Sequence, residues 1–397
     1  MNLVAGIFTA MIFLLPPVAV YAPMGMTPLV CTAAVALLFD RRVRDELAAS
    51  GAPRILWAFA PLSAWALASV AWTIQPGRAV NVWLSIVLLA AAAWVLAVGA
   101  RLLGERDQKR VTAFMVGSAA MFLIILGVEN FSEGFVIKFL KASKGKGVND
   151  YMAWINPGNT ILSVCAWPMI FAAGRRINLL SGVLLYGLII TVLAFGTSSA
   201  PVAAMLVSSL VFAAVSAGKR PVLIAVAASL AVGALAFPFF IQLFTSDEIG
   251  QMFSSDKGSW QHRWAIWEFV RGRIMDHPLI GWGLDSSRFI PGGRENIFGQ
   301  NYAEILPLHP HNAFLQIWLE LGVVGAAAMA VLTASVPFQL HRMARDWPGT
   351  ACLMAGFIVY MVLGQLSFGI WQNWWIATGI VMLTLFLAAM PQKKAAE

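Results

Sequence analysis

Apolar residues run along this chain in long unbroken stretches separated by short polar clusters, and only between residues 244 and 311 does polar character persist. The runs are continuous, not alternating. That predicts α-helices, which satisfy their backbone internally, because a strand crossing lipid would alternate its two faces. About twelve spans follow: 3–22 (bent near Pro16 and Pro17), 26–39, 55–74, 80–100, 110–128, 153–173, 178–196, 200–217, 221–243, 312–337, 350–369 and 373–390. A bilayer core needs roughly 20 apolar residues, so 26–39 is short. Only Gly196-Thr197-Ser198-Ser199 divides the seventh span from the eighth.

Composition agrees with this pattern. Of 397 residues, 59% are hydrophobic and 12% charged, and the mean hydropathy is +0.76; a soluble chain would be about a quarter charged. The predicted fold class is all-α, a single polytopic membrane domain over 1–397 with one long loop, 244–311, that contains an amphipathic helix. Cys31, Cys165 and Cys352 stand singly in apolar runs and read as small core residues without ligand spacing. The start Met1-Asn2-Leu3-Val4 lacks the basic residues of a cleaved signal, so the first span is expected to be retained.

A net charge of +8 would suggest nucleic acid in a soluble protein. Here it sets orientation, and no nucleic-acid partner is expected. With the N-terminus inside, the cytoplasmic segments hold Arg41, Arg42, Arg44, Arg54, Arg101, Arg106, Lys109 and Arg110, then Arg175, Arg176, Lys219, Arg220, Arg342, Arg345, Lys393 and Lys394. Both termini are then cytoplasmic. Two outer loops are basic as well: 129–152, with Lys138, Lys141, Lys144 and Lys146, and the long loop, with Lys257 and five arginines. Long loops cross regardless of charge, so these cations are free to contact either anionic headgroups or an anionic substrate.

The long loop gathers the chain's proton-transfer chemistry. It holds four of the five histidines, His262, His277, His309 and His311, among Arg263, Arg271, Arg273, Arg288 and Arg294 and carboxylates such as Asp256, Glu268, Asp285 and Glu304. Trp260, Trp264, Trp267 and Ile274 recur near helical spacing, which predicts an amphipathic helix in the outer interface. That helix is either purely structural or aims Arg263 at a phosphate, for which the guanidinium fork is suited. Pro278 should end it, and Gly281 and Gly283 permit a tight turn. Around Pro291-Gly292-Gly293, Arg288 and Arg294 can fold back over a site.

His309-Pro310-His311-Asn312 supports three readings. A His-X-His metal pair lacks a third ligand at useful spacing. Asn312 or a histidine can cap the following helix. Alternatively, a neutral histidine takes a proton from a hydroxyl, with a helix N-terminus beside it that favours an anionic leaving group. Thr197-Ser198-Ser199-Ala200-Pro201 is a turn or an opposite cavity wall. Trp371-Gln372-Asn373-Trp374-Trp375 is an aromatic belt, in which Gln372 and Asn373 can reach a sugar.

The series Arg263, Trp267, His277-Pro278-Leu279-Ile280-Gly281-Trp282-Gly283, His311-Asn312-Ala313-Phe314-Leu315-Gln316 and Glu320-Leu321-Gly322-Val323-Val324-Gly325 resembles the O-antigen ligase and O-antigen polymerase superfamily over about 190–330. The resemblance implies a metal-independent, inverting glycosyltransferase without cofactor in the bacterial inner membrane. In that reading 244–311 is periplasmic and carries the active site. The donor would be a glycan on undecaprenyl pyrophosphate, and the acceptor a hydroxyl of lipid A-core or of a growing glycan. His311 would be catalytic, with Arg263, Arg288, His309, Asn312 and His262 binding pyrophosphate and glycan. Many members carry an arginine after Thr-x-Ser at the eighth span; here Ala200 stands there, and Arg288 or another loop arginine is the candidate substitute. Two other classes compete with the enzyme. A transporter would want ionisable residues within spans, which hold essentially none, and an assembly subunit would use the loop for docking.

Overall fold

The computed structural model describes residues 2–143, 151–196, 198–252, 259–296, 304–344 and 346–390. Thr197, Asp256, Lys144, Lys146, Lys257, Arg345, Lys393 and Lys394 lie outside them. The chain is an all-α polytopic membrane protein; one isolated bridge, Asn296 to Glu304, is the β pairing among the described residues. In order, the helices are α1 (Leu3–Tyr21), α2 (Met26–Leu37), α3 (Arg41–Ser50), α4 (Arg54–Ala68), α5 (Pro76–Arg101), α6 (Glu105–Phe131), α7 (Phe135–Ala142), α8 (Tyr151–Arg176), α9 (Leu179–Ala194), α10 (Ala200–Gly218), α11 (Arg220–Ile241), α12 (Ser246–Met252), α13 (Ser259–Asp276), α14 (Ala313–Ala344), α15 (Trp347–Leu366) and α16 (Asn373–Ala389).

Every one of the twelve predicted stretches is helical, but they are not equal. Eight are long and apolar enough to cross a membrane: α1, α4 with its 3₁₀ extension, α5, α6, α10, α11, α14 and α15. A ninth appears if α2 and α3, bent by 94°, count as one broken span. α9 and α16 are apolar but shorter, with 16 and 17 residues. α8 has 26 residues, interrupted by polar Asn156, Asn159 and Thr160. Composition alone does not see such helix ends.

The loops sort to two ends of the bundle. At one end, Arg175 pairs with Asp346 at 3.7 Å, and the Gln108 amide donates to the Ala388 carbonyl at 3.2 Å. At that end Asp40, Asn178 and Asp346 cap α3, α9 and α15 through their side-chain oxygens. At the other end the segments 22–27, 69–78, 242–252, 259–296, 304–312 and 367–374 converge: the Thr73 hydroxyl donates to Leu284 O at 2.8 Å, and Met24, Arg78, His309 and Trp374 line one cavity.

Buried side chains form two apolar clusters. The larger joins α1, α2, α6, α8, α15 and α16 around Phe8, Phe122, Trp375 and Phe386. The smaller joins α4, α11, α13 and α14 around Ile266, Trp267, Leu315 and Leu319. The predicted amphipathic helix is α13, but its tryptophans meet protein. Trp264 and Trp267 are buried, and their indole N–H groups donate to Phe244 O at 2.8 Å and Pro310 O at 2.9 Å. Phe237 stands edge-on to Trp267 at 5.6 Å, and Phe240 to Trp264 at 6.2 Å. Spaced one turn apart, the α13 indoles lie against phenyl rings that α11 and its C-terminal end present at the same repeat.

Candidate active site

The site begins with a break in α14. Gly322 has φ 62° and ψ −163°, a conformation that interrupts the helix and strands its carbonyls and amides. The loop 278–283 fills the gap. Trp282 N and Gly283 N donate to Leu319 O at 2.9 Å and Glu320 O at 2.8 Å, and Val323 N returns to Pro278 O at 2.9 Å. The indole of Trp65 takes Leu321 O at 2.9 Å. A Cβ on Gly281 (φ 70°) would lie 2.5 Å from Glu320 O, and one on Gly322 2.4 Å from Leu279 O. The glycine turn therefore serves this junction: two of its amides are bonded to α14 and do not face a phosphate.

Glu320, fully buried two residues before the break, collects four donors. The Ser287 hydroxyl and the Gln316 amide reach Oε1 at 2.5 and 3.0 Å, while the Asp285 backbone N–H and the Trp371 indole reach Oε2, both at 2.7 Å. One carboxylate thus ties loop 285–287, α14 and the 367–372 turn together. The expectation that spans hold essentially no ionisable residue fails at Glu320, which lies within predicted span 312–337.

The histidines stand just ahead of α14. His311 adopts φ 54°, rare for a residue with a Cβ. Its Nδ1 lies 2.8 Å from Ser367 O. A carbonyl only accepts, so Nδ1 carries the proton and Nε2 keeps its lone pair. Burial lowers its pKa; the Ser367 carbonyl opposes this, and Arg263 and His262 lower it further. His309 packs edge-on to it at 4.4 Å between centroids, and its Nδ1 accepts the His311 N–H at 3.2 Å. Burial, aided by His311 and Arg288, brings the His309 pKa down to about 3. Both imidazoles are therefore neutral near pH 7.

The other predicted residues divide. Arg263, on α13, lies over the Trp260 ring at 5.4 Å and within Coulombic reach of His311. The Nε2 of His262 is buried without a partner among the described residues. Arg288 sits beside His309 and lines with it a cavity of about 470 Å³ that Asp285, Gln316, Trp371 and Gln372 also border. Asn312 is the N-cap of α14: its Oδ1 accepts from Leu315 N at 2.9 Å and its Nδ2 donates to Gln365 O at 3.2 Å. With no exposed surface, it has nothing to offer a ligand. Arg271 pairs with Gln242, Arg273 with Asp276, and His277 packs on Trp282, so these stand apart. Among the described residues no three His, Cys, Asp or Glu side chains cluster as metal ligands.

Residues 161–330, from α8 through the break in α14, match the O-antigen ligase family. Over that stretch, somewhat under half of its length, the chain is similar to the O-antigen ligase superfamily. Relatives provisionally named polysaccharide ligase include one from Rickettsia conorii and one from Rickettsia felis. Each is 28% identical over 328 residues, covering 81% of this chain and 77% of the relative. One from Rickettsia typhi is 29% identical over 268 residues, 66% of this chain and 64% of the relative.

The superfamily segment includes Arg263, Arg288, His311 and Glu320 but not Arg78, Trp371 or Gln372, which complete the cavity from α5 and the start of α16. Sequence reasoning passes over Arg78, the one cation that the orientation count assigns to neither end. Glu320 was readable as a lone carboxylate inside an apolar span.

Proposed function

We propose that this protein is a polysaccharide ligase of the O-antigen ligase superfamily. It would move a glycan from undecaprenyl pyrophosphate to a hydroxyl of lipid A-core at the periplasmic face of the inner membrane. In this reading 244–311 is the periplasmic loop that carries the active site. The observation that carries the proposal is His311: a neutral imidazole, its Nδ1–H committed to Ser367 O, its Nε2 available as a base, and Arg263 beside it. The acceptor hydroxyl gives its proton to Nε2 as its oxygen bonds to the anomeric carbon from the side opposite the leaving group. The C–O bond to pyrophosphate breaks, its electron pair stays with the pyrophosphate, and the configuration inverts. Arg263 offsets the charge that develops there. No step needs a metal, so EDTA should leave transfer by the purified protein intact; inhibition reversed by a divalent ion would overturn this.

A base of this kind contributes about 10²–10⁴-fold. His311→Ala and Arg263→Ala should therefore leave the protein inserted and folded while abolishing transfer, measured with lipid-linked glycan and purified acceptor. Transfer retained in both variants would sink the proposal. The glycan ladder of a deletion strain separates ligase from polymerase: a lost ligase strips the acceptor of all glycan, whereas a lost polymerase leaves single repeats attached.

A further inference from the structure

The proposed chemistry uses Arg263 and His311 and leaves a second cationic face unassigned. Arg78, in the first turn of α5, brings Nε and Nη2 to Oδ2 of Asp285, each at 3.0 Å. Arg288 approaches Oδ1 of the same carboxylate at 4.0 Å. Asp285 is held at φ 57° with its N–H on Glu320, which fixes where its side chain starts. On the cavity wall one carboxylate stands between two guanidinium groups, and the neighbouring Glu320 carboxylate is fully buried. Neither arginine is hidden: their side chains are 46% and 36% exposed. Across from them the Gln372 side-chain amide lies 3.2 Å from Nε2 of His309, and Trp371 and Trp374 add indole surface.

We propose that this cavity is a second anion subsite, which takes a sugar bearing a phosphate or carboxylate on the acceptor. The assignment to the acceptor rests on the ligase reading, in which Arg263, on the His311 side of the imidazole pair, takes the donor's pyrophosphate. The guanidinium pair would fork onto the anion, the Gln372 amide onto a hydroxyl, and the indoles onto the apolar face of the ring. About 470 Å³ falls within the ~300–1,000 Å³ usual for small-ligand sites.

The test uses the full-length protein in lipid nanodiscs and ligand-observed NMR with glucose 6-phosphate, glucuronate and glucose as probes. At least one anionic sugar should bind and glucose should not; which one binds identifies phosphate or carboxylate as the source of the charge. Arg78→Gln and Arg288→Gln should each weaken that binding by about tenfold, the loss expected of a charge-assisted fork, with Arg78→Lys weakened less. Arg288→Gln removes only the longer of the two ion contacts, so it keeps the test open should Arg78→Gln fold poorly. Glucose binding as tightly as the charged sugars, or variants binding like the wild type, would overturn the subsite. In transfer assays the same variants should raise KM for the acceptor and not for the donor; a rise for the donor would overturn the acceptor assignment. A wild-type protein without transfer activity would refute the ligase reading, while the NMR titration still decides the subsite.

Discussion

The two apolar clusters are built on different terms. Around Phe8, Phe122 and Phe386 the helices meet mainly through apolar side chains; the Ser118 hydroxyl donates to Ile12 O at 2.9 Å, and the buried Glu129 carboxylate accepts the Ile137 N–H at 3.4 Å. Around Trp267 and Leu319 the packing also encloses a helix break, a buried carboxylate with four donors and the histidine pair. The first cluster contains no reacting group and touches the site through the end of α15, where Ser367 O meets His311. The second holds stability and chemistry in the same side chains, so a change there should alter both.

The strongest way to break that contrast is Glu320→Ala. It would leave the Ser287 hydroxyl, the Trp371 indole and the Asp285 amide without their acceptor, at about 1–3 kcal/mol for each buried group left unpaired. We expect the unfolding temperature and transfer to fall together, with partial recovery in Glu320→Gln. An unchanged unfolding temperature would show that the carboxylate does not tie the three segments.

Matched truncations come next. Phe122→Ala and Trp267→Ala should each cost about 3–5 kcal/mol. Only Trp267→Ala should also slow transfer per folded molecule, because its indole holds Pro310 O, next to His311. Equal losses of specific activity would erase the distinction between the clusters.

Acidity is a gentler probe. His309 titrates near 6.5 in the unfolded chain and near 3 in the folded one, so the unfolded state binds the proton first. Stability should be complete above about pH 6.5 and decline as pH falls toward 3. Thermal unfolding against pH should show a shallower decline over that window in His309→Gln. The lowered pKa of His311 likewise predicts an acid limb of the transfer rate below pH 6.5; a limb at or above 6.5 would contradict its burial.

The smallest effect is expected from Asn312→Ala, which removes a helix cap worth about 1 kcal/mol. A modest drop in unfolding temperature with KM for both substrates unchanged fits a cap; a large rise in either KM would return Asn312 to the binding set.

The fold was largely legible because apolar periodicity is local: each predicted span is a helix. His309, His311, Arg263 and Arg288 were legible because polar residues in an apolar chain are conspicuous. The remainder depended on distance in space. Asp285 meets Arg78 across more than half the chain, and Ser367 supplies the carbonyl that sets the tautomer of His311 from a turn with no chemical signature of its own. The covering of α13 by α11 was likewise invisible, since indoles packed on protein and indoles facing lipid read the same in one dimension.

The junction at Gly322 has a consequence for how such a site can diversify. With Val324 N to Leu279 O at 3.5 Å, four of the five bonds that join 278–283 and Trp65 to the break run between main-chain atoms, so the junction constrains the glycines at 281, 283 and 322 more than its other side chains. Side chains at Leu279, Ile280 and Val324 are partly or well exposed and can be exchanged without loosening the anchor. The architecture is thus a socket indifferent to most of its own letters: its specificity can drift while its frame stays put.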